Sequence, residues 1–465
     1  MSFSSFCQKN SIDVYEAFFF ITLSFVPIIS YFHHIVFKFK TKTTKLLSEI
    51  FVGLCLLLLL YEKFVVLHIL IQIFYSFLIN KIIPNKNGLI INCLTSFTHC
   101  LYGHFTIYGQ KKAVNISRPL MISTIRVISY SFSLYDYRNA KKFISIDRNL
   151  HPLKYDPNFI EYFGYNMFFR NLLVGPFIFF NEFDSMIEDR QEISLTKPDE
   201  CEEYKSNKEN YRTDWKLILK LTISLLVNLA ILIKFGSLFS LPYFYSDAFK
   251  SLSIYEKVIR IIIAGSVTTN RFFLAWWLSE ISLVICGFGI TGINLNTKRP
   301  EYKIAKNIDW WKFHMSDNIR DIWAGWNLGV QKWLRDCVYY RFNKPLNTFA
   351  VFIVSGLWHG IYPAYLIVFI TGAIGTYVTR LARCQIRPLF LGNDFLKLFY
   401  DTTTFILSHA LTYHMGITFS LLEFEKIKLF WAFTYYAHFI GLAIVFFVSQ
   451  GLYLYKSKQE GRKSN

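Results

Sequence analysis

The chain is poor in charged residues, and acidic residues are scarcer than basic ones. Charged side chains make up 18% of the 465 residues, whereas 53% are hydrophobic and 19% are aromatic. Soluble domains carry roughly 25% charged residues. Apolar blocks with almost no charge lie at 18–35, 50–61, 217–235, 349–372 and 430–454. Several reach the roughly 18–20 residues that cross about 30 Å of hydrocarbon. The composition therefore predicts an integral membrane protein that crosses a bilayer about ten times, and it excludes a set of soluble domains.

The net charge of +18 does not indicate nucleic-acid binding, because of where the basic residues lie. They cluster in short connectors at 38–45, 81–86, 111–118, 138–148, 205–216, 298–320 and 456–462. This distribution follows the positive-inside rule for cytoplasmic loops, and no basic stripe lies on a soluble module. We therefore expect no nucleic-acid partner, and we expect basic groups close to anionic headgroups and to any polyanionic substrate.

The sequence also lacks paired cysteines and the pattern typical of a cleavable leader. The eight cysteines are scattered singly, without Cys-x-x-Cys or zinc-ligand spacing, so we expect no structural metal, no cofactor and no disulfide framework. The N-terminal residues show no basic region followed by a short apolar run and a small-residue cleavage site. The first apolar stretch is therefore expected to stay as an anchor.

The apolar runs predict one all-α membrane domain over 1–465, with about 10–12 transmembrane or re-entrant helices. The predicted spans are 14–36, 46–61, 63–80, 88–108, 119–135, 159–181, 215–240, 256–274, 276–293, 347–380, 396–420 and 428–454. Glu62-Lys63 is either a break or a snorkelling pair inside one tilted helix. Residues 181–214 and 455–465 are predicted to be a polar extramembrane loop and a polar tail. Between 294 and 345, Trp alternates with Lys, Arg and Asp, which favours amphipathic or re-entrant helices at the interface.

The segment Asn347–Gly372 contains no Asp, Glu, Lys or Arg, and His359 lies at its middle. In a spanning helix the imidazole would lie roughly 15 Å below either surface, where an ionisable group indicates function by default. Pro363 deprives the His359 carbonyl of its helical partner, so a bend is expected. Gly356 and Gly360 allow close approach of a helix or a ligand chain. Irregular polar backbone at that depth requires protein or a wet cavity, which predicts an internal chamber. The alternative is that His359 bonds a neighbouring helix and the glycines serve packing.

A second segment, Trp326–Arg341, predicts an amphipathic helix. Lys332, Arg335 and Asp336 share one polar stripe, and Asn327 lies on the apolar side. A lone Asn there can also be a cap or a contact between helices, and that alternative stays open.

These two segments carry a family resemblance. Trp326-Asn327 with Trp333-Leu334-Arg335, followed by Ser355-Gly-Leu-Trp358-His359-Gly360 with Pro363-x-Tyr365, resembles the membrane-bound O-acyltransferase family in its lysophospholipid acyltransferase branch. Upstream stretches resemble it as well: Ser117-Arg-Pro119-Leu-Met121 with Arg126 and Asp136, Leu172-Leu-Val-Gly175-Pro176, and Trp276 with Glu280 and Gly287-x-Gly289. The likeness covers roughly residues 90–375 in consistent order.

The resemblance implies that His359 is the catalytic base and that Asn327 is its partner in the chamber. It implies that acyl-CoA, a co-substrate, enters from the cytosolic side and that the lipid acceptor arrives from the bilayer. Residues assigned to substrate binding are Trp326, Trp358, Gly356, Gly360, Tyr365, Arg335 and Lys332. The basic ones, with Arg341, either attract the CoA phosphates or anchor the segment at the interface. Two departures, Ala364 for Gly and Arg126 for Lys, bear on acceptor choice.

Acyl transfer from a thioester to a hydroxyl needs a base, a donor to the developing oxyanion and the exclusion of water. Asn327 either supplies that donor or orients the acceptor hydroxyl. Cys337 has no base within helical reach in the sequence, so direct transfer is favoured over an acyl-enzyme. Arg126, Glu280, His409 and His414 either line the tunnel or pair across helices.

The leading hypothesis is an acyl-CoA-dependent lysophospholipid O-acyltransferase, multi-pass in the endoplasmic reticulum membrane. The runner-up acylates a protein Ser or a neutral lipid. A non-catalytic transporter would require charged rings or inverted halves, and the sequence shows neither. A homodimer is left open. The sequon at Asn115 is expected to carry no sugar, and the terminal Arg462-Lys463-Ser464-Asn465 resembles a dibasic retrieval signal.

Overall fold

The computed structural model describes residues 14–106, 117–139, 151–189, 213–236, 240–294, 297, 299–343 and 346–463, with the backbone alone for 460–463. Within these ranges the chain is almost entirely helical. The α-helices are α1 (Val14–Phe37), α2 (Lys42–Leu60), α3 (Lys63–Ile82), α4 (Lys86–Phe105), α5 (Ser117–Arg138), α6 (Phe159–Met167), α7 (Phe180–Ile187), α8 (Trp215–Phe235), α9 (Asp247–Lys250), α10 (Ile254–Val284), α11 (Trp310–Met315), α12 (Ile319–Ala324), α13 (Leu328–Cys337), α14 (Leu346–His359), α15 (Pro363–Gln385), α16 (Asp394–Leu421), α17 (Phe424–Phe433) and α18 (Ala437–Lys463). A short antiparallel hairpin joins β1 (Gly292–Asn294) to β2 (Arg299–Glu301).

Seven of these helices are long and apolar enough to cross a bilayer: α1, α2, α3, α8, α10, α15 and α18. Their large apolar side chains lie on the surface at helical spacing, as Leu219, Ile223 and Leu226 do on α8. A soluble protein would bury such a stripe, whereas lipid solvates it. The prediction of a polytopic helical membrane protein is confirmed. The helices α4, α5 and α16 also have 20 or more residues but fall outside this set of seven.

Two predictions about individual spans are wrong. The spans predicted at 256–274 and 276–293 form one helix, α10, which continues to Val284. No Gly or Pro lies between Gly265 and Gly287, so nothing in the sequence interrupts it. The run 159–181 is no span, because its helix α6 has nine residues and gives way to a 3-10 turn over Phe169–Asn171. Beyond the exposed Phe159 and Ile160, most of its apolar side chains are buried in protein instead of facing lipid.

Other boundaries sharpen the predictions. The chain leaves the helical conformation between α2 and α3, where Glu62 is extended and precedes Lys63, so this position is a break. The predicted loop 181–214 begins inside α7, whose Phe183, Met186 and Ile187 are buried; residues 190–212 lie outside the described residues. The predicted polar tail from 455 continues α18, and Asn115 and residues 464–465 lie outside the described part of the chain.

The chain divides into two compact units that alternate along the sequence. Unit 1 comprises Met1–Ala230, Arg271–Asn307 and Asn327–Asn343, and unit 2 comprises Ile231–Asn270, Ile308–Trp326 and Lys344–Asn465. An aromatic cluster forms the centre of unit 1: the ring of Phe180 lies 5.5 Å from Tyr130, 5.6 Å from Tyr165 and 6.1 Å from Phe183. All four rings are buried, and the two edge-on pairs, with Tyr130 and with Tyr165, add about 0.5–1.5 kcal/mol each beyond their burial.

Candidate functional site

Asn327 lies in unit 1, immediately before α13, in the left-handed conformation with φ 45° and ψ 59°. Among residues with a side chain, Asn tolerates this conformation best. Its carbonyl accepts the N–H of Gln331 at 3.1 Å, but its side chain makes no capping hydrogen bond. The suggestion that Asn327 caps the helix is therefore wrong. The half-buried amide of Asn327 has no hydrogen-bond partner within the described ranges, which leaves it available to a ligand.

Asn307 caps α13 in its place. Its backbone carbonyl accepts the N–H of Leu328 at 2.9 Å, and its side-chain Oδ1 accepts the N–H of Gly329 at 3.0 Å. The first N–H groups of a helix have no partner inside the helix, so these two bonds satisfy two of them. Asn307 is buried, with 1% of its surface exposed. No local sequence pattern marks Asn307 as a cap, because the two residues that it caps lie about twenty residues further along the chain.

The first turn of α13 lies against the backbone at Phe177. A Cβ on Gly329 would lie 2.5 Å from the Phe177 nitrogen and 2.9 Å from Oδ1 of Asn307, closer than real Cβ atoms come. Only glycine fits this position. The fixed contact therefore sets the location at which the chain turns from Asn327 into α13.

Ion pairs hold the remainder of α13 within unit 1. Lys332 pairs with Glu182, and its Nζ lies 5.2 Å from the ring centre of Phe179. Trp333 is completely buried, with its ring 6.5 Å from that of Phe97. Lys332 is thus engaged by a carboxylate, and its predicted attraction of a phosphate stays a prediction.

Ion pairs also hold the C-terminal end of α13 and the turn that follows it. Arg341 donates two hydrogen bonds, of 2.7 and 2.6 Å, to the buried carboxylate of Asp136. Arg335 donates to Asp336 at 2.7 Å, and its side chain is 49% exposed. Although burial raises the pKa of Asp336, hydrogen bonds from His151 and Arg335 outweigh it and hold the pKa below its usual range. Arg335 is therefore the more accessible of the two basic residues assigned to substrate binding.

Cys337 closes α13 and is 3% exposed. Burial raises the pKa of its thiol well above the ordinary value. A thiol that stays protonated is a poor nucleophile. This supports the expectation that acyl transfer proceeds without a cysteine intermediate.

Arg126 serves the architecture of unit 1. It is buried, and its guanidinium donates to the carbonyls of Tyr165 and Asn166 at 3.0 and 2.7 Å and to the side chain of Asn171 at 2.5 Å. Asn171 in turn donates to the carbonyl of Pro176 at 2.7 Å, next to Phe177. Of the two roles considered for Arg126, the structure shows pairing across elements.

Glu280, on α10, is 5% exposed. Its Oε2 has no hydrogen-bond partner among the described residues. A buried carboxylate oxygen without a partner is costly. Glu280 therefore stays a candidate for contact with a ligand.

In unit 2, His359 ends α14, and the mid-helix placement expected from the sequence is wrong. Gly360 follows with φ 131°, Tyr362 is extended, and α15 starts at Pro363. α14 has 14 residues, about 21 Å at 1.5 Å per residue, which is shorter than the hydrocarbon layer. Gly360 takes a conformation that side chains rarely adopt, so the helix ends where the sequence predicts only a bend.

Aromatic rings surround the half-buried imidazole of His359. The ring of Phe369 is stacked at 5.2 Å, that of Phe419 stands edge-on at 5.0 Å, and those of Trp358 and Tyr365 lie at 4.7 and 5.7 Å. Such an apolar wall strengthens polar interactions made inside it. Phe419, which belongs to α16, was absent from the predicted site because sixty residues separate it from His359 and no periodicity relates them.

The other residues predicted in this segment have packing partners in unit 2. A Cβ on Gly356 would meet Leu366 Cδ2 at 3.1 Å and Phe369 Cδ2 at 3.5 Å, so α14 packs closely on α15. This is the packing role considered for the Gly-x-x-x-Gly step. The ring of Trp326 lies 5.0 Å from that of Phe313.

His409 and His414, both on α16, are buried. His409 Nδ1 bonds the Phe405 carbonyl at 2.9 Å, within its own helix. His414 Nε2 bonds the Thr434 hydroxyl at 3.1 Å. These bonds give both histidines structural partners, and a role as tunnel lining stays a prediction.

The two principal candidates thus belong to different units. Asn327 presents an unengaged amide in unit 1, and His359 presents an imidazole among aromatic rings in unit 2. Acyl transfer requires a proton acceptor and a hydrogen-bond donor, and an imidazole and an amide are groups of these two kinds. Their meeting in one chamber stays a prediction.

Comparison with known proteins gives the class of this helical membrane protein. Residues 101–412 match the membrane-bound O-acyltransferase family, and the chain belongs to that family. It is 29% identical over 344 residues to lysophospholipid acyltransferase 6 of Drosophila melanogaster. These aligned residues cover 73% of this chain and 47% of the Drosophila protein.

Two further relatives match more of this chain. It is 24% identical to the lysophospholipid acyltransferase of Saccharomyces cerevisiae, over 84% of this chain and 66% of the relative. It is 27% identical to membrane-bound glycerophospholipid O-acyltransferase 2 of Homo sapiens, over 82% of this chain and 74% of the human protein. The chain therefore spans about half the length of the Drosophila relative and about two thirds of the yeast one.

Proposed function

We propose that this chain is an acyl-CoA-dependent lysophospholipid O-acyltransferase of the endoplasmic reticulum membrane. In this proposal His359 acts as the general base, and the side-chain amide of Asn327 donates a hydrogen bond to the reacting carbonyl. The proposal is carried by two unusual positions. The imidazole of His359 lies at a helix end among four aromatic rings, and the side-chain amide of Asn327 does not cap the helix that follows it. Relatives named as lysophospholipid acyltransferases support the choice of acceptor.

The proposed reaction joins the acceptor oxygen to the acyl carbon. His359 removes the hydroxyl proton as the oxygen attacks the thioester carbonyl, which forms a C–O bond. The Asn327 amide donates a hydrogen bond to the developing oxyanion, a contribution of about 2.7–4 kcal/mol where it has been measured. The C–S bond then breaks, and the CoA sulfur receives the proton from His359. Direct transfer needs no nucleophile from the protein, in agreement with the buried thiol of Cys337.

The test uses the full chain, purified and reconstituted into vesicles with radiolabelled oleoyl-CoA. Acceptors are lysophospholipids with choline, ethanolamine, serine or inositol headgroups, compared with diacylglycerol, a sterol and a serine-containing peptide. Label in phospholipid is expected. Label confined to protein or neutral lipid would overturn the choice of acceptor, and no acylation of any acceptor would overturn the activity.

The roles of the two residues are tested with His359→Gln and Asn327→Ala. His68→Gln is the matched control, because His68 is also a half-buried histidine, with Nδ1 2.9 Å from His99 Nε2 in unit 1. We expect the first two variants to lose acylation while they elute as monodisperse protein, and the control to keep it. Normal acylation by His359→Gln would remove the base from the proposal.

A further inference from the structure

We propose that Asn307 is the positioning residue of the site: it caps α13 so that the amide of Asn327 is left for the substrate. This inference rests on the proposed function and names a residue outside the predicted site. The start of α13 lacks the usual side-chain cap. Asn327 occupies the N-cap position, where an Asn side chain normally accepts a hydrogen bond from the second or third helical N–H, yet it makes no such bond.

Asn307 supplies the cap instead. It provides both acceptors that the first two helical N–H groups require, its own carbonyl for Leu328 and its Oδ1 for Gly329. Without Oδ1, the N–H of Gly329 would be left to the N-cap side chain, which is that of Asn327, because an N-cap Asn can accept from the second helical N–H. That amide would then turn toward the helix, because an orphan N–H in a buried position costs more than a rotated side chain.

The two bonds also hold the backbone. Asn327 has a positive φ, a conformation that persists only where the surroundings impose it. The carbonyl bond to Leu328 and the side-chain bond to Gly329 act on the two residues that follow. The Phe177 backbone and Oδ1 of Asn307 both lie close to the position that a Cβ on Gly329 would occupy. Asn307 and Phe177 together therefore fix the direction in which the Asn327 side chain leaves the chain.

The test compares Asn307→Leu, which removes the acceptor at similar size, with Asn307→Asp, which keeps an acceptor at the positive end of a helix. The matched control is Asn228→Leu, because Asn228 is also buried but donates only to the Ser224 carbonyl of its own helix. We expect Asn307→Leu to lower kcat by about tenfold to a hundredfold, and by no more than Asn327→Ala lowers it. The KM for both substrates should stay within about threefold of that of the unmodified protein. Asn307→Asp should restore at least half of kcat, and the control should equal the unmodified protein.

The double variant Asn307→Leu with Asn327→Ala decides whether Asn307 acts through Asn327. If it does, the double variant is no slower than Asn327→Ala alone, because the amide to be positioned is already gone. Losses that multiply overturn the positioning role while leaving the proposed function intact. An Asn307→Asp variant as slow as Asn307→Leu also overturns it.

Failure of the proposed function gives a different result. If Asn327→Ala acylates normally, the role of Asn327 in the reaction is wrong, and the role of Asn307 falls with it. Monodisperse elution and thermal denaturation in detergent show whether Asn307→Leu folds. If it does not, Asn307→Ala takes its place, since it removes the acceptor without adding apolar bulk, and the same comparisons of kcat apply.

Discussion

Gly329→Ala should disable the site through a single added methyl group. The new Cβ would lie 2.5 Å from the backbone nitrogen of Phe177, where an ordinary contact begins at 3.4 Å. A backbone atom cannot rotate aside, so the first turn of α13 must retreat by about 1 Å, at a cost of about 1–3 kcal/mol. Displacement of a reacting group by about 1 Å can lower the rate about a hundredfold.

The assay is the acylation of a lysophospholipid at saturating oleoyl-CoA, which reports kcat. We expect Gly329→Ala to lose about a hundredfold in kcat while it elutes normally from size exclusion. The control is Gly416→Ala on α16, because a Cβ there has nothing within 4 Å. Alanine is the better helix former by about 1 kcal/mol, so the control should keep full activity and equal or higher thermal stability.

A clear result would refute the reasoning. If Gly329→Ala acylates at the unmodified rate, then either the Phe177 backbone yields without consequence or the position of Asn327 does not control the reaction. The two are separated by Asn327→Ala: a normal rate in that variant refutes the role of the amide, and a slow one refutes the tight contact.

Three more outcomes are expected. His359→Gln should lower kcat by about 10²–10⁴, the usual contribution of a general base, and a full rate at neutral pH would contradict its role. Arg341→Met should lower the denaturation temperature strongly, because it leaves the buried carboxylate of Asp136 unpaired at about 3–5 kcal/mol. Lys428→Ala is its control, since the exposed pair with Glu425 contributes at most about 1 kcal/mol, and equal losses would contradict the argument. Cys337→Ala should keep acylation within about twofold if transfer is direct, whereas loss of activity in a folded variant would restore the acyl-enzyme.

Composition was sufficient to predict the class of fold. Lipid accepts apolar side chains on all sides of a helix, so long apolar runs with few charges, such as those of α1, α3 and α8, leave a strong signal. The run 159–181 is also rich in apolar residues, but most of it folds as buried core, since run length alone does not distinguish a lipid environment from a protein one. The end of α14 was also underestimated: Pro363 allows a kink, and it is Gly360 at positive φ that ends the helix.

The candidate residues were predictable where local chemistry was unusual. His359 stood out as the one histidine in an uncharged run, and the spacing of Trp326-Asn327 carried the family resemblance. Asn307 and Phe419 carried no such mark. Each acts through a contact with a residue far away in the sequence, a cap in one case and a ring face in the other, and neither hydropathy nor periodicity encodes such contacts.

The interleaving of the two units has a consequence for biosynthesis. The N-terminal part of a chain emerges from the ribosome first, and here it contains Asp136 and Glu182, while their partners Arg341 and Lys332 are translated much later. Until α13 and the residues that follow it are translated, the carboxylates of Asp136 and Glu182 lack these partners, and the backbone at Phe177 lacks its contact with Gly329. The addition of α13 is thus a late event in the assembly of unit 1, so the amide of Asn327 comes into place only after most of the surrounding protein has been made.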